Sequence, residues 1–504
     1  MNGKIEYGDY QTPCDFASKI CILLKEKYQL KPRIVVEPTC GIGNFVKSSL
    51  IFDANEYYGI EINPTYCLEC RQTITDRRVS IINEDVFQFD LQSITDKSKS
   101  LLILGNPPWV NNSVLSTLGS TNVPHKENIK GLSGMDAITG SSNFDISEYI
   151  LLQVIKNTAG RETDIAMLCK TSVARNIFCE LKRNNIWFSC FDIYLFDSKK
   201  IFNISASACL MYVHLTETSS TTNVCNLYKL DEPNEITSFL EYRNGVLHRD
   251  LPTECDDFDG NCCFEWRQGI KHDCSKIMEL DSVNNQFING NSDLIEIEQD
   301  LVYPLIKSSM IKKPKIDQFS KYVIVTQKKV HEDTAYIEKA FPLTWNYLSK
   351  NRNYFEKRKS SIYRESSQFA MFGIGDYSYS QYKVAISGFY KKPLFSILCS
   401  DNGKPVMTDD TCYFLCFQTY DMAYVAMLFL NSERVQNYIK SIAFLDSKRP
   451  YTKKILKRID FQKIQRKLSC DDLIETEQKL GLEKYVTPKM YDDFTYIINA
   501  QLTF

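Results

Sequence analysis

Residues 33 to 45 read RIVVEPTCGIGNF, and this stretch decides the fold of the first half of the chain. A short apolar run rich in β-branched residues leads into a turn that contains Gly41 and Gly43, and the turn opens a helix. An apolar strand, a glycine turn and a helix form the first repeat of an alternating strand and helix pattern. The stretch therefore predicts an α/β fold that begins here.

The alternation continues on both sides of this stretch. Six further apolar runs predict strands at 57–62, 79–83, 101–106, 164–170, 190–196 and 208–215. Helical periodicity lies between them at 15–28, 64–75, 146–158 and 172–183. Short buried strands that alternate with helices are typical of a doubly wound, mostly parallel sheet. We therefore predict a seven-stranded sheet with functional residues directly after its strands.

A polar stretch at 216–223, TETSSTTN, has no apolar periodicity and predicts a domain boundary between residues 218 and 219. Short aromatic-rich strands and one helix are predicted beyond it, at 382–389, 412–417 and 421–443. The prediction is an α/β domain of residues 1–218, followed by an α+β domain of residues 219–504.

Composition excludes several protein classes. The chain has 504 residues, of which 43% are hydrophobic and 24% charged, so it is neither fibrous nor disordered. No apolar run reaches about 18 residues, and the first residues lack an export signal, so no membrane contact is predicted. We expect a cytoplasmic protein whose 18 cysteines are reduced thiols.

The net charge of −2 hides an uneven distribution. Residues 231–300 hold 17 acidic and 5 basic residues, whereas residues 301–360 hold 13 basic and 5 acidic ones. A further basic run at 447–467 carries nine Lys or Arg. One such run is typical of a solvated helix face, but two of them in one half of the chain favour a groove for a polyanion.

Polar side chains follow the first three predicted strands. Gly41 and Gly43 let the backbone come close to a ligand, although such turns also serve to pack a helix on a strand. Glu61, about 20 residues further on, lies where a carboxylate binds both hydroxyls of a ribose. Asp85 is placed to accept from the exocyclic amine of a purine. Either carboxylate alone could cap a helix, but the ordered set indicates an adenosine-bearing ligand.

The fourth strand runs into Asn106, Pro107, Pro108 and Trp109. The two prolines stiffen the loop and remove two N–H donors. The Asn106 side-chain oxygen and the Pro107 carbonyl can accept the two N–H groups of an amine on a planar base. These acceptors draw the nitrogen toward tetrahedral geometry and stabilise the positive charge that develops when it attacks. The alternative is a turn with a packed Trp.

Five ordered motifs carry a family resemblance: YQTP (10–13), EPTCGIGNF (37–45), GIEINP (59–64), NEDVF (83–87) and GNPPW (105–109). They resemble the S-adenosylmethionine-dependent DNA methyltransferases that methylate adenine N6, in particular the gamma class, over residues 7–215. In that class the cofactor motifs precede the catalytic motif, and a target-recognition domain follows. Cytosine-N4 enzymes of the superfamily usually have Ser in place of Asn106. Trp109 departs from the commoner Tyr or Phe.

The resemblance implies a Rossmann-like, class I methyltransferase domain that binds S-adenosylmethionine. The cofactor residues it implies, with those after the strands, are Thr12, Pro13, Glu37, Pro38, Thr39, Gly41, Gly43, Glu61, Ile62, Asp85, Val86 and Asn106. The expected catalytic residues are Asn106, Pro107, Pro108, Trp109 and Phe202. By resemblance Phe202 lies opposite Trp109 and stacks on a flipped base, although it could instead be a core residue. Residues 113–144 resemble the loop that closes around DNA or cofactor.

An enzyme that acts on adenine in a duplex must flip the base and hold the surrounding DNA. We expect phosphate and base contacts from basic residues of the second domain, namely Lys357, Arg358, Lys448, Arg449, Lys453 and Lys454. No metal site is predicted. The pair Cys67 and Cys70 has no second pair nearby, and a loose group lacks a familiar zinc spacing, namely Cys255, Cys262, Cys263, His272 and Cys274.

The sequence thus predicts a monomeric, site-specific adenine-N6 methyltransferase of double-stranded DNA, with a cognate restriction endonuclease as a second partner. A fused nuclease is not expected, because the motifs begin at residue 7. The alternative enzymes are an RNA adenine-N6 or a protein-glutamine methyltransferase, which use the same Asn-Pro-Pro-aromatic loop. A catalytically idle DNA-binding specificity protein is the other alternative, and the intact Asn106 and Glu61 argue against it.

Overall fold

The computed structural model describes residues 10–94, 100–110, 145–218, 221–249, 258–284 and 286–500. They belong to two compact units, residues 1–250 and residues 251–504. The loop predicted at 113–144 lies outside the described residues, as does Cys255, a member of the group that lacks a zinc spacing. None of the helices described is long and apolar enough to cross a membrane.

The first unit alternates strands and helices. Its strands are β1 (Ile34–Glu37), β2 (Glu56–Glu61), β3 (Val79–Asn83), β4 (Leu101–Gly105), β5 (Thr163–Lys170), β6 (Phe188–Phe196), β7 (Ala208–Leu215), β8 (Val224–Lys229), β9 (Glu232–Arg243) and β10 (Val246–Arg249). Its α-helices are α1 (Cys14–Lys27), α2 (Asn44–Ser49), α3 (Pro64–Thr73), α4 (Ile146–Thr158), α5 (Thr171–Arg183) and α6 (Ser198–Phe202).

The strands form one sheet in the order β10-β9-β8-β6-β7-β5-β4-β1-β2-β3. Strands β1 to β5 are mutually parallel along the pairs β3–β2, β2–β1, β1–β4 and β4–β5, whereas β7 is antiparallel to both β5 and β6. The seven predicted strands are confirmed. The predicted strand number of the sheet is wrong, since ten strands are paired within the described residues.

The three additional strands move the boundary of the first unit. Strand β8 pairs in parallel with β6, through Asp192 and Asn226, and the hairpin of β8 and β9 continues the sheet. This pairing buries Cys225, Tyr228 and Leu240. The polar stretch at 216–223 therefore leads into another strand of the same sheet, and the unit ends after residue 250, not after residue 218.

The centre of this sheet positions the candidate site. Every residue of β1 and β4 is buried, as expected for parallel strands covered by helices on both faces. The strand order reverses between the neighbouring strands β1 and β4. The chain continues from β1 to β2 on one side, and β4 begins the other half of the sheet. The carboxyl ends of β1 to β4 meet there, at the crevice where such sheets bind ligands.

The second unit contains two smaller sheets with helices. Their orders are β11-β21-β18-β19-β16 and β14-β13-β12-β17-β15-β20. The strands are β11 (Arg267–Gln268), β12 (Glu279–Val283), β13 (Gln286–Asn289), β14 (Leu294–Ile295), β15 (Val302–Ile306), β16 (Lys315–Ile316), β17 (Lys321–Ile324), β18 (Tyr382–Ser387), β19 (Phe395–Cys399), β20 (Met407–Thr408) and β21 (Cys412–Phe417). The α-helices are α7 (Ser275–Met278), α8 (Tyr336–Ala340), α9 (Pro342–Lys350), α10 (Arg352–Glu356), α11 (Tyr420–Asn431), α12 (Glu433–Ile442), α13 (Lys453–Leu456), α14 (Phe461–Lys467), α15 (Cys470–Lys479) and α16 (Pro488–Ala500).

The single helix predicted at 421–443 is two helices, α11 and α12. Ser432 separates them, because its backbone is extended with φ −59° and ψ 142°. Its hydroxyl and its backbone N–H both donate to the Phe429 carbonyl, at 2.8 and 3.2 Å, near the end of α11. The apolar periodicity continues across this break, which is why the sequence pattern did not reveal it.

We expect a fragment of residues 1–250 to be more stable than one of residues 1–218. The shorter fragment exposes the edge of β6 and the surface covered by Cys225, Tyr228 and Leu240. Each buried apolar side chain of this kind contributes about 1.5–3 kcal/mol. Thermal denaturation followed by circular dichroism measures the difference, and equal melting temperatures would contradict the assignment of β8 to β10 to this unit.

Candidate active site

Two glycines shape the turn that follows β1. Gly41 and Gly43 have φ of +53° and +82°, in the left-handed region that residues with a side chain rarely adopt. A Cβ atom at Gly43 would lie 2.3 Å from Cys70 Sγ, and one at Gly41 would lie 2.5 Å from Gln11 Oε1. Neighbouring side chains therefore fill the space beside both residues. The turn needs glycine at each position because the backbone is left-handed and because no space remains for a side chain.

The Glu61 carboxylate connects the end of β2 to this turn. Its Oε2 accepts from Gly41 N and its Oε1 from Asn63 N, each at 2.8 Å. Glu61 does not cap α3, because the cap is Asn63, whose side chain accepts from Thr65 N at 2.9 Å. The helix-cap alternative for Glu61 is thus excluded. A carboxylate has about four acceptor positions, more than these two bonds use.

The end of β3 carries Asp85 and Asn83. Asp85 Oδ1 accepts from Phe87 N at 3.0 Å, which closes a local turn, and no described residue donates to its Oδ2. Asn83 Nδ2 donates to the carbonyls of Glu61 and Ile62 at 2.9 and 3.0 Å, and so joins the ends of β2 and β3. The Ile62 side chain is 42% exposed at this edge, an apolar surface suited to a flat ring.

Residues 10–13 lie against the glycine turn. Gln11 Oε1 accepts from Ile42 N at 3.2 Å, and Asn44 Nδ2 donates to the Thr12 carbonyl at 2.8 Å. Thr12 is buried, and Pro13 immediately precedes α1. The structure thus places the predicted residues Thr12 and Pro13 beside the predicted glycines.

Asn106 follows β4 with an orphaned acceptor. Its Nδ2 donates to the Tyr10 carbonyl at 3.0 Å, whereas its Oδ1 is buried and accepts no hydrogen bond from any described group. A buried acceptor without a donor is unfavourable by about 1–3 kcal/mol, so such atoms are few in folded proteins. No described N–H donates to the Pro107 carbonyl either. Both predicted acceptors thus lack a donor among the described residues.

Trp109 is a packed residue in this structure. Its ring is 8% exposed, belongs to a hydrophobic cluster and donates its indole N–H to the Leu168 carbonyl at 3.3 Å. The half-buried Phe202 ring packs edge-on against it, with centroids 5.5 Å apart and planes at 72°. A base stacked between two rings needs them parallel and roughly 7 Å apart. No base fits between Trp109 and Phe202 in this arrangement.

A small cavity adjoins the segment after β3. Its lining includes the predicted residues Pro38 and Val86, together with Ile150 and Val154 of α4. Thr39, the next predicted residue, has a buried hydroxyl without a described partner. Most of the cavity lining is apolar, and Val86 and Phe87, which follow Asp85 in the chain, belong to it.

Glu37 ends β1 as a buried carboxyl. It is 3% exposed, its Oε2 accepts from Val46 N at 3.0 Å, and burial raises its pKa well above the ordinary value. A Cβ atom at Gly105, after β4, would lie 3.1 Å from Glu37 Cγ. Glu37 therefore packs directly beneath the residue that precedes Asn106. It supports the crevice between β1 and β4.

Sequence reasoning missed four amide side chains that hold the site together, namely Gln11, Asn44, Asn63 and Asn83. All four lie within or next to the quoted motifs, which is the signal that could have found them. Asn63 caps its own helix, whereas the other three bind backbone atoms of other elements, which the sequence alone does not reveal.

The residues predicted to contact DNA belong to the second unit and fall into two groups. Lys357, Lys448 and Lys454 are exposed, and Lys453 is half-buried. The two arginines bind within the unit. Arg358 donates to four backbone carbonyls, those of Phe355, His272, Ala370 and Gln368, at 2.7–3.4 Å, and lies 3.8 Å from the Tyr363 ring centroid.

Arg449 donates to the Asp410 carbonyl at 2.9 Å and lies over the Phe389 ring. Most of the donors of Arg358, and part of those of Arg449, are thus used inside the protein. The expectation that Arg358 contacts DNA is not supported by its position, because its guanidinium cannot leave four carbonyls without exposing them unpaired. Lysine side chains form the accessible part of the basic segments.

Comparison with known proteins places these features in context. The chain is 37% identical over 468 residues to the type II methyltransferase M.NspV from Nostoc sp., covering 91% of this chain and 97% of that protein. Its structure is similar to that of the type IIL restriction-modification enzyme MmeI in complex with DNA, with a TM-score of 0.54 and 12% identity over 97% of this chain and 76% of that one. At this identity the second similarity concerns the fold. No family model matches the chain.

We expect Glu37→Gln to stabilise the protein increasingly as pH rises. A carboxyl with a raised pKa contributes stability that is complete below its unfolded pKa of about 4.3 and is lost as pH rises through the folded pKa. Glutamine keeps the acceptor for Val46 N without the charge. Urea midpoints from about pH 5 to about pH 9 measure this, and a constant difference between variant and wild type would contradict it.

Proposed function

The chain belongs to the type II methyltransferases of restriction-modification systems, and from this premise we propose that it methylates the N6 amine of a flipped-out adenine in duplex DNA. The methyl donor we propose is S-adenosylmethionine. The modified sites would be protected from a cognate restriction endonuclease, and we propose that the methyltransferase acts as a monomer.

The observation that carries the proposal is the orphaned Oδ1 of Asn106 after β4. The lone pair of an aromatic amine is delocalised into the ring, so the nitrogen is a poor nucleophile. If one N–H of the amine donates to Asn106 Oδ1 and the other to the Pro107 carbonyl, the lone pair is freed for attack on the methyl carbon. The new N–C bond would form as the methyl–sulfur bond breaks, and the methylated nitrogen would then release one proton to solvent. Both acceptors then lie beside the positive charge that develops on nitrogen.

The residues around the crevice suit the proposed cofactor. Gly41 and Gly43 allow the left-handed turn that borders the crevice, the Glu61 carboxylate suits the ribose, and Ile62 with Asp85 suits the adenine. S-adenosylmethionine, when bound, supplies an activated methyl group on a positively charged sulfur. The protein residues hold the donor, orient the amine and exclude water from the reacting atoms.

A flipped base loses its stacking and pairing, which costs a few kcal/mol. We propose that Phe202, which is half-buried, provides part of the stacking surface in return, at about 1–3 kcal/mol for one aromatic face. Trp109 contributes to this only if its ring leaves the packed position described above. The phosphates would be bound by the exposed lysines of the second unit.

The function is tested with the variant Asn106→Ala. The measurement is methyl transfer to duplex DNA purified from cells that lack the target modification. The substitution removes an acceptor aimed at charge that develops during the reaction, so we expect the rate to fall roughly 100-fold or more. Affinity for S-adenosylmethionine, measured by calorimetry, should hold. Mass spectrometry of the product nucleosides from the wild-type reaction should show N6-methyladenine.

Asn55→Ala is the matched control, because Asn55 is exposed just before β2 and its replacement should leave the rate unchanged. Methylated cytosine in the product would overturn the adenine assignment. Transfer to RNA or to protein, with none to duplex DNA, would favour the alternative enzymes. Cofactor binding without transfer to any of these would favour an idle specificity protein.

A second prediction concerns the basic surface around α13. We expect replacement of Lys448, Lys454 and Lys457 by Gln to weaken DNA binding and flatten its dependence on salt, because all three are exposed. The slope of log affinity against log salt is negative. Each phosphate that is no longer neutralised by a lysine makes it less steep by about 0.9. Fluorescence anisotropy with a duplex at several salt concentrations measures the slope.

The matched control replaces three exposed lysines outside the basic segments, Lys276, Lys484 and Lys489. This variant removes the same charge from the same unit and should keep the wild-type slope. Equal slopes for all three proteins would show that the basic segment around α13 is only a solvated face.

A further inference from the structure

We infer that Asn44 is a positioning residue for methyl transfer, acting on Asn106 through residues 10–12. This inference rests on the proposed function, because it explains how the amide of Asn106 presents its oxygen and not its nitrogen to the amine. Asn44 itself touches neither Asn106 nor the acceptor position. Its effect passes through the backbone of the segment that it holds.

The orientation of the Asn106 amide depends on Tyr10. An amide side chain can rotate by 180° and exchange its NH₂ group for its oxygen. In this structure Nδ2 donates to the Tyr10 carbonyl at 3.0 Å, which fixes Oδ1 on the other side. The reversed amide would place Oδ1 against the Tyr10 carbonyl and present N–H donors to the substrate amine. In that orientation oxygen faces oxygen at Tyr10 and N–H faces N–H at the substrate, and both contacts are repulsive. The substrate amine then has no acceptor.

Tyr10 belongs to no helix or strand, so other contacts must hold its carbonyl in place. Two hydrogen bonds do so from the glycine turn. The Ile42 amide donates to Gln11 Oε1 at 3.2 Å, and Asn44 Nδ2 donates to the Thr12 carbonyl at 2.8 Å. The first bond holds the side chain of Gln11, and the second holds the backbone of Thr12. Together they restrict the chain next to Tyr10.

The position of Asn44 shows that its side chain does not serve the helix it begins. Asn44 is the first residue of α2, and the preceding cap residue is Gly43, which has no side chain. Asn ordinarily stabilises a helix at the cap position itself, where its oxygen accepts from the first turn. Here the nitrogen donates away from α2 to the Thr12 carbonyl. The bond therefore connects the turn after β1 to residues 10–12.

The test is a double-mutant cycle between Asn44→Asp and Asn106→Ala, read as single-turnover methyl transfer at saturating DNA and cofactor. Aspartate has the shape of asparagine but has no N–H, so it loses the bond to Thr12. We expect Asn44→Asp alone to slow transfer by about 10-fold, as for the removal of one orienting hydrogen bond. In the Asn106→Ala background it should cause no further loss, because no amide remains to be oriented.

Asn185→Asp is the matched control, since it makes the same change of charge at an exposed site and should leave the rate unchanged. If Asn44→Asp does not fold, Gln11→Ala takes its place in the cycle, because it removes the acceptor of the Ile42 amide. The same loss in both backgrounds, or a wild-type rate in the single variant, overturns the inference. Full activity of Asn106→Ala instead overturns the proposed function, so the two failures are distinct.

Discussion

The candidate site depends on the Glu61 carboxylate, which accepts backbone N–H groups from two different elements. One bond holds Gly41 in the turn after β1, and the other holds Asn63 at the start of α3. These bonds place the ends of β1 and β2 next to each other and satisfy amides that the strands and helices leave free. Asn83 extends the connection to β3. One edge of the sheet thus becomes a continuous polar crevice.

Two residues of this crevice carry buried polar groups that differ in their partners. Glu37 and Asn106 follow the two central strands, and each carries a polar group that is shielded from water. Glu37 has an internal partner in Val46 N, whereas Asn106 Oδ1 has none among the described residues. A protein tolerates an unpaired buried acceptor where a ligand supplies the donor. In the proposed function, this difference separates a supporting residue, Glu37, from a reacting one, Asn106.

The basic segments of the second unit show why charge in a sequence is not yet a binding surface. The guanidinium of Arg358 binds four carbonyls and stacks on Tyr363, so it stabilises the unit's own backbone. Arginine suits such a role because its planar group offers five donors in fixed directions. The exposed lysines Lys357 and Lys448 instead keep their charges at the surface, where phosphate contacts are made. Only the folded chain separates these two uses of positive charge.

The sequence by itself determined the seven strands, the helices between them and the order of polar residues at the strand ends, because apolar periodicity and glycine turns are local properties. It did not determine that β8 to β10 extend the sheet, since strand pairing depends on residues distant in the chain. The sequence also did not determine the packed state of Trp109, the bonds of Arg358 or the orientation of the Asn106 amide. The reason is again contact between distant parts of the chain. Each depends on a backbone carbonyl from another part of the chain, and only the tertiary structure decides which carbonyl comes within reach.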